Sequence, residues 1–288
     1  MSKRLKENML IIILSIFMVP VFALGVYQTF LKQYLEERQN AKKQEYYEPE
    51  VLADLAYDVN EKSGYTIYIQ EESGYQPYLV LTDNYDDGGN VLLLRKHILD
   101  EYHPLNIDSM KTAYYENSYL DQFLNGEYYE TLLSDVQREV RTSDVEIYAR
   151  TAWGRNGRDL PETTRIRRKV FILSTTEVAP DSTSMDIEEG ETLKYFADDS
   201  ERIVVKDSEG NANLWRLRTP DISEHTVSIV ISDLRRLSSI YMEDPSGVRP
   251  AFCLDGNLKV VQNGEVVKGE KVYVLEGSIH EQGEIKTL

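Results

Sequence analysis

The sequence predicts an α+β protein with an N-terminal transmembrane helix followed by one extramembranous domain. Three observations carry this. An uncharged apolar run fills residues 9–30, helical spacing governs 116–141, and short β-branched and aromatic runs separated by Gly, Asp and Asn dominate the rest.

The apolar run reads MLIIILSIFMVPVFALGVYQTF, with only Ser15, Gln28 and Thr29 clearly polar. At about 1.5 Å per residue its 22 residues span about 33 Å, enough for a bilayer core. Lys3, Arg4 and Lys6 precede it and place residues 1–8 in the cytoplasm, so the remainder faces outward. Val21-Phe22-Ala23 offers a signal-peptide cleavage site. Apolarity continues past it through Leu24, Gly25, Val26 and Tyr27, which favours an uncleaved anchor. Both readings export the domain.

Residues 31–50 follow as a helical stalk rich in Lys, Glu, Gln and Arg, with Leu31, Tyr34 and Leu35 at helical spacing and Pro49 to end it. Residues 51–255 read as the extracytoplasmic α+β domain and 256–288 as a C-terminal β-hairpin extension. Strands are expected at Tyr65–Ile69, Tyr78–Leu81 and Val91–Arg95, the last two joined by the Asp/Asn/Gly-rich loop 82–90. Glu116–Phe123 and Tyr128–Arg141 carry helical spacing. Later strands are expected at Lys169–Ser174, Asn213–Arg218, Thr226–Ile231, Leu237–Met242 and Val248–Leu254, with a short helix at Glu191–Phe196. Leu258–Val261 and Lys271–Leu275 read as hairpin strands around a turn at Asn263-Gly264.

Hydrophobic residues make up 41% of the chain, enough for a buried core. The net charge is −17; residues 1–30 contribute +2, so the rest carries −19. So acidic a domain repels phosphate backbones, which argues against nucleic acid as a partner. A single cysteine, Cys253, excludes an intrachain disulfide.

An ordered series of short elements resembles a bacterial family, the domain of unknown function 6273. It begins with YLVL (78–81) and VLLLRKHIL (91–99). Tyr115-Glu116-Asn117-Ser118, Phe123-Leu124-Asn125 and Tyr128-Tyr129 follow, then Lys169–Ser174. Trp215-Arg216-Leu217-Arg218-Thr219-Pro220 and Gly247-Val248-Arg249-Pro250-Ala251-Phe252 close it. The family usually has Gly after the Arg-Ser/Thr-Pro element; here Asp221 stands there. The last two elements also resemble the core of the C-type-lectin-like and sulfatase-modifying fold. That likeness implies a C-type-lectin-like mixed sheet with two helices, and surface loops that bind.

Three sets of residues are candidates for binding. Trp153, Arg155, Asn156 and Arg158 lie in a polar, glycine-containing stretch suited to stacking on and hydrogen bonding a sugar; Trp153 could equally pin a long loop. Arg218 and Arg249 suit either an anion clamp or a structural role against a buried carboxylate or carbonyl, and the structural role is favoured. Asp83, Asp86 and Asp87 supply calcium-type oxygens, but Tyr85 and Leu94 stand where an EF-hand needs ligands, which favours a plain acidic turn with no cofactor.

No HExxH, GxSxG or P-loop is present, and His97, His103, His225 and His280 lack ligand spacing. The expected function is a membrane-anchored extracytoplasmic binding domain. Its partners are the membrane through residues 9–30 and an envelope glycan or protein. An extracytoplasmic enzyme with a noncanonical carboxylate site and a structural subunit of a membrane complex are the alternatives. A membrane-impermeant amine reagent is expected to label Lys259 on intact cells; labelling of Lys259 only after lysis overturns the topology.

Overall fold

The structure, a computed structural model, describes residues 32, 48–59, 66–108, 112–149, 162–179, 188–207, 210–221, 225–267 and 270–277. The apolar run 9–30, almost all of the stalk and the loop holding Trp153 lie outside the described residues. Among the described residues no helix is long and apolar enough to cross a membrane. The chain divides into two units, Met1–Glu48 and Pro49–Leu288, and the fold below is that of the second.

The second unit is a sheet-rich α+β structure with few and short helices. Eight strands form its main sheet. β1 (Thr66–Glu71), β2 (Gly74–Thr82) and β3 (Asn90–Arg95) make an antiparallel meander. β12 (Ala251–Asp255) lies against β3. Two short strands, β4 (Val140–Arg141) and β7 (Val170–Phe171), share the other edge of β12 end to end. At the far side, β13 (Val260–Val267) and β14 (Glu270–Leu275) form a hairpin. β14 runs parallel to β1, with Ile67 opposite Tyr273, so this C-terminal hairpin enlarges the main sheet.

A second sheet has the order β11-β10-β9-β8. Its strands are β8 (Val205–Lys206), β9 (Ala212–Pro220), β10 (Thr226–Ile231) and β11 (Arg236–Tyr241). β5 (Ser143–Tyr148) and β6 (Thr163–Arg168), which follow β4 and precede β7 in the chain, pair with each other as a separate two-stranded hairpin.

Strands β3 and β12 are buried along nearly their whole length, which is why VLLLR and AFCL read as continuous apolar runs and not as alternation. Burying each such Leu or Val stabilises the fold by about 1.5–3 kcal/mol. In the strand expected at 213–218, side chains that point to opposite faces are equally inside: Trp215, Arg216, Leu217 and Arg218 are all buried. Both faces of β9 are covered at these positions, so its arginines lie inside the protein.

The helical region departs from the expected pattern. Helix α1 runs over 119–131, with α-helical turns at Tyr119–Phe123 and Tyr129–Thr131 around a π-helical turn at Leu124–Tyr128. Ser118 caps it by accepting from Asp121 N. The π-helical turn holds Asn125, whose side chain donates to Val170 O at 2.9 Å and accepts from Val170 N at 3.2 Å. A helical irregularity thus serves to pin a sheet edge.

The helix expected over 128–141 breaks at Leu132, because the β1–β2 turn captures its backbone. Glu72 N donates to Thr131 O at 2.7 Å and Leu133 N to Gln70 O at 3.3 Å. A separate α2 (Ser134–Glu139) follows, and Val140 and Arg141 belong to β4. The terminal turn is also displaced: Asn263 and Gly264 sit within β13, where the register with β14 slips. Of the expected strand 169–174, only Val170–Phe171 joins a ladder. The short helix expected at 191–196 is α4 (Lys194–Ala197).

A buried ion pair fastens the meander to α1. Glu71 Oε1 accepts from Arg95 Nε at 3.0 Å, from Tyr78 OH at 2.6 Å and from Tyr128 OH at 3.2 Å. Arg95 Nη1 also donates to Ile98 O at 2.6 Å. Removing the cation would strand a buried carboxylate. Arg95→Met is therefore expected to lower unfolding stability by about 3–5 kcal/mol, and Tyr128→Phe by about 1 kcal/mol. Urea unfolding checks both; an Arg95→Met protein as stable as the parent removes the pair from this role.

Candidate functional site

A groove of about 420 Å³ opens between the β2–β3 loop, the β5–β6 hairpin and the segment leading into α4. Its lining is predominantly acidic. Asp83, Asp86 and Asp87 come from the loop, Asp144 and Glu146 from β5, Glu191 from the segment before α4, and Asp58 from the turn after the Leu52–Leu55 helix. Glu177 adds an eighth carboxylate, against two basic side chains, Arg165 and Lys194.

The β2–β3 loop folds on its own polar atoms. Asp86 Oδ1 accepts from Asn90 Nδ2 at 2.8 Å, and Asn84 Oδ1 accepts from Gly89 N at 2.9 Å. This internal wiring turns Tyr85 inward. Its ring stacks on Phe171 with centroids 5.2 Å apart, and its hydroxyl donates to Glu177 Oε1 at 2.7 Å. Burial, reinforced by Glu177, pushes the Tyr85 phenol well above its ordinary range.

Glu177 sits in α3 (Thr175–Val178), and Ser174-Thr175-Thr176-Glu177 forms a capping box. Ser174 Oγ accepts from Glu177 N at 3.1 Å, and Glu177 Oε2 accepts from Ser174 N at 2.8 Å. Arg218 meets this carboxylate with two parallel bonds: Nη1 to Oε2 and Nη2 to Oε1, both 2.8 Å. Both side chains are fully buried. Arg218 Nε donates to Glu146 O at 2.9 Å and Nη1 to Ile172 O at 2.9 Å. The Arg218 guanidinium is raised further above its already high range: burial opposes the shift, and Glu177 overrides it.

Glu189 completes the layer under the groove. Its carboxylate accepts from Tyr148 N at 2.6 Å and from the Thr219 hydroxyl, and its own carbonyl accepts from Ser174 Oγ at 2.6 Å. Burial pushes its carboxyl upward against the pull of Arg218. The next residue, Gly190, has φ +83, and a Cβ there would stand 2.9 Å from Glu177 Oε1. Only glycine lets the groove wall cross the ion pair so closely.

The residues singled out in the sequence fall in three places. Asp83, Asp86 and Asp87 line the groove. Among the described residues no three His, Cys, Asp or Glu side chains are grouped to hold a metal ion. Arg218 lies beneath the groove with its guanidinium bonded to protein partners. Arg249 is not among the groove-lining residues. It is buried, donates from Nε to Arg95 O at 3.0 Å and lies 4.8 Å from the Trp215 ring. Burial brings its guanidinium down to about 10.

Trp153, Arg155, Asn156 and Arg158 lie outside the described residues, in the segment that joins β5 to β6. In the basic stretch beside them, Arg165 and Arg167 are exposed, whereas Arg168 grips Asp121 with two bonds of 2.7 Å. Glu177, Glu189, Tyr85 and Gly190 were not singled out. The capping-box spelling at 174–177 was the available signal for Glu177; nothing local marks the others.

The contact at Gly190 can be tested against a matched position. Gly210 has φ +89 and nothing within 4 Å of an added Cβ. Gly190→Ala is expected to destabilise by about 1–3 kcal/mol more than Gly210→Ala, because strain is common to both and the clash is not. Equal urea midpoints for the two variants would remove the Gly190–Glu177 contact as a constraint.

The profile of a family described as Domain of unknown function (DUF6273) matches residues 88–256. The match starts within the β2–β3 loop and ends just past β12, so it takes in Glu177, Arg218 and the groove wall from β5 and the segment before α4, but not Asp58, Asp83, Asp86 or Asp87. No curated protein and no solved structure shows a match to the chain. The chain belongs to the DUF6273 family.

Proposed function

We propose that the protein is a membrane-anchored extracytoplasmic binding domain whose acidic groove takes a positively charged partner, such as a Lys- or Arg-rich segment of an envelope protein. The observation that carries this reading is the groove itself, where seven carboxylates besides the Arg218-paired Glu177 face two basic side chains. Several like charges around one concavity focus a field that attracts cations and speeds their capture. The cost of gathering them is offset by a rigid base, because Glu177 is neutralised by Arg218 and held by Tyr85 and Ser174.

The export of the domain rests on the uncharged run 9–30 behind Lys3, Arg4 and Lys6. Trp153, Arg155, Asn156 and Arg158, which lie in sequence between β5 and β6, are proposed as a further contact on residue type alone, suited to stacking on and hydrogen bonding a sugar. The C-type-lectin-like reading rests on the elements at 215–220 and 247–252 and agrees with binding by loops at one end of a sheet.

Titration of the full-length protein in detergent with a pentalysine peptide tests the proposal. Binding is expected to weaken as salt rises, and to weaken about tenfold or more in an Asp86→Asn, Asp144→Asn double variant. Tight binding of neutral glycan fragments with no response to pentalysine would replace the cationic partner with a sugar.

A further inference from the structure

Among the described residues four arginines are buried: Arg95, Arg216, Arg218 and Arg249. Arg95 is paired with Glu71 and Arg218 with Glu177. Arg249 rests on the Trp215 ring and donates to Arg95 O, leaving only its Nη1 without a partner. Arg216 has no such partner. It is wholly buried, its Nη2 donates to Asp244 O, and its Nε and Nη1 have no hydrogen-bond partner.

We infer that Arg216 holds a small inorganic anion, chloride or an oxyanion, beneath the turn 243–247. The backbone fixes the place: Arg216 N donates to Gly247 O at 2.9 Å, and Trp215 bridges Gly247. A Cβ at Gly247 would stand 2.4 Å from Leu214 O, so β9 and this turn are pressed together. The turn contributes a second unsatisfied group, the buried Oγ of Ser246.

Size follows from access. Arg216 has zero exposure, which excludes a peptide or glycan as occupant. Its roof is the exposed stretch Glu243, Asp244 and Pro245, so a small ion enters by displacing one surface turn. Charge follows from the buried donors. A guanidinium stays cationic at neutral pH even when burial brings it down to about 10, as it does here. The Asp244 carboxylate acts on Arg216 only from the exposed roof and forms no contact ion pair with it; an anion at Nε or Nη1 would do for Arg216 what Glu71 and Glu177 do for Arg95 and Arg218. The site is separate from the groove and independent of what the groove binds.

Thermal unfolding of the full-length protein, with chloride or sulfate exchanged for gluconate at fixed ionic strength, tests the inference. Chloride or sulfate is expected to raise the Tm saturably, by roughly 3–8 °C. Chloride-35 NMR is expected to show line broadening that sulfate competes away. Arg216→Met should abolish both responses, and Ser246→Ala should weaken them. If Arg216→Met does not fold, the wild-type linewidth and the Ser246→Ala protein still decide. A wild type indifferent to the identity of the anion means that water alone satisfies Arg216 and overturns the inference, as does an unchanged response in Arg216→Met.

Discussion

The guanidinium of Arg218 and the carboxylate of Glu177 meet in a fully buried pair, and five parts of the chain converge on it. Arg218 brings β9, Glu177 brings α3, Glu146 O brings β5, Glu189 O brings the segment before α4, and Tyr85 brings the β2–β3 loop. Such a pair adds little net stability over an apolar alternative, because desolvating two charges cancels most of their attraction. Its consequence is geometric. Each hydrogen bond must be made in one arrangement, so the pair fixes where the groove walls stand relative to one another.

The same logic recurs elsewhere. Glu71 joins β1 to β2, β3 and α1 through Arg95, Tyr78 and Tyr128. Asp121 ties α1 to β6 through Arg168. Each cluster lies where two layers meet and secondary structure alone sets no register. Polar groups committed in this way are high-stakes, since losing one member leaves the others unsatisfied in low dielectric. Arg216 and Arg249 depart from this pattern, and Arg216, with two unpartnered donors against one and no aromatic ring against it among the described residues, departs furthest.

The elements that mark the family are mostly parts of this frame. Ser118 caps α1, Asn125 pins β7, Trp215 donates its indole N–H to Ile203 O at 2.9 Å, Arg218 holds Glu177, and Gly247 permits close contact with Leu214. The acidic loop residues Asp86 and Asp87, by contrast, hang on the frame at the surface. Binding carried by loops on a rigid support lets one architecture serve different ligands.

Much of the strand content was legible in the sequence. YTIYI, YLVL, VLLLR, TVSIVI and KVYVL mark strands because β-branched and aromatic side chains pack well on a pleated surface. The acidic turn between β2 and β3 was equally plain from its Asp, Asn and Gly residues. Tertiary structure decided the rest. The break at Leu132 depends on the β1–β2 turn, more than fifty residues away in sequence. The parallel pairing of β14 with β1 joins the two ends of the unit. Arg218 and Glu177 lie 41 residues apart; a capping-box spelling marks Glu177 and a family element marks Arg218, but nothing local pairs the two. Propensity and turn chemistry act between near neighbours and can be read along a chain. Burial and ion pairing act between residues that only the finished fold brings together, so the groove and its base are properties of the packed molecule.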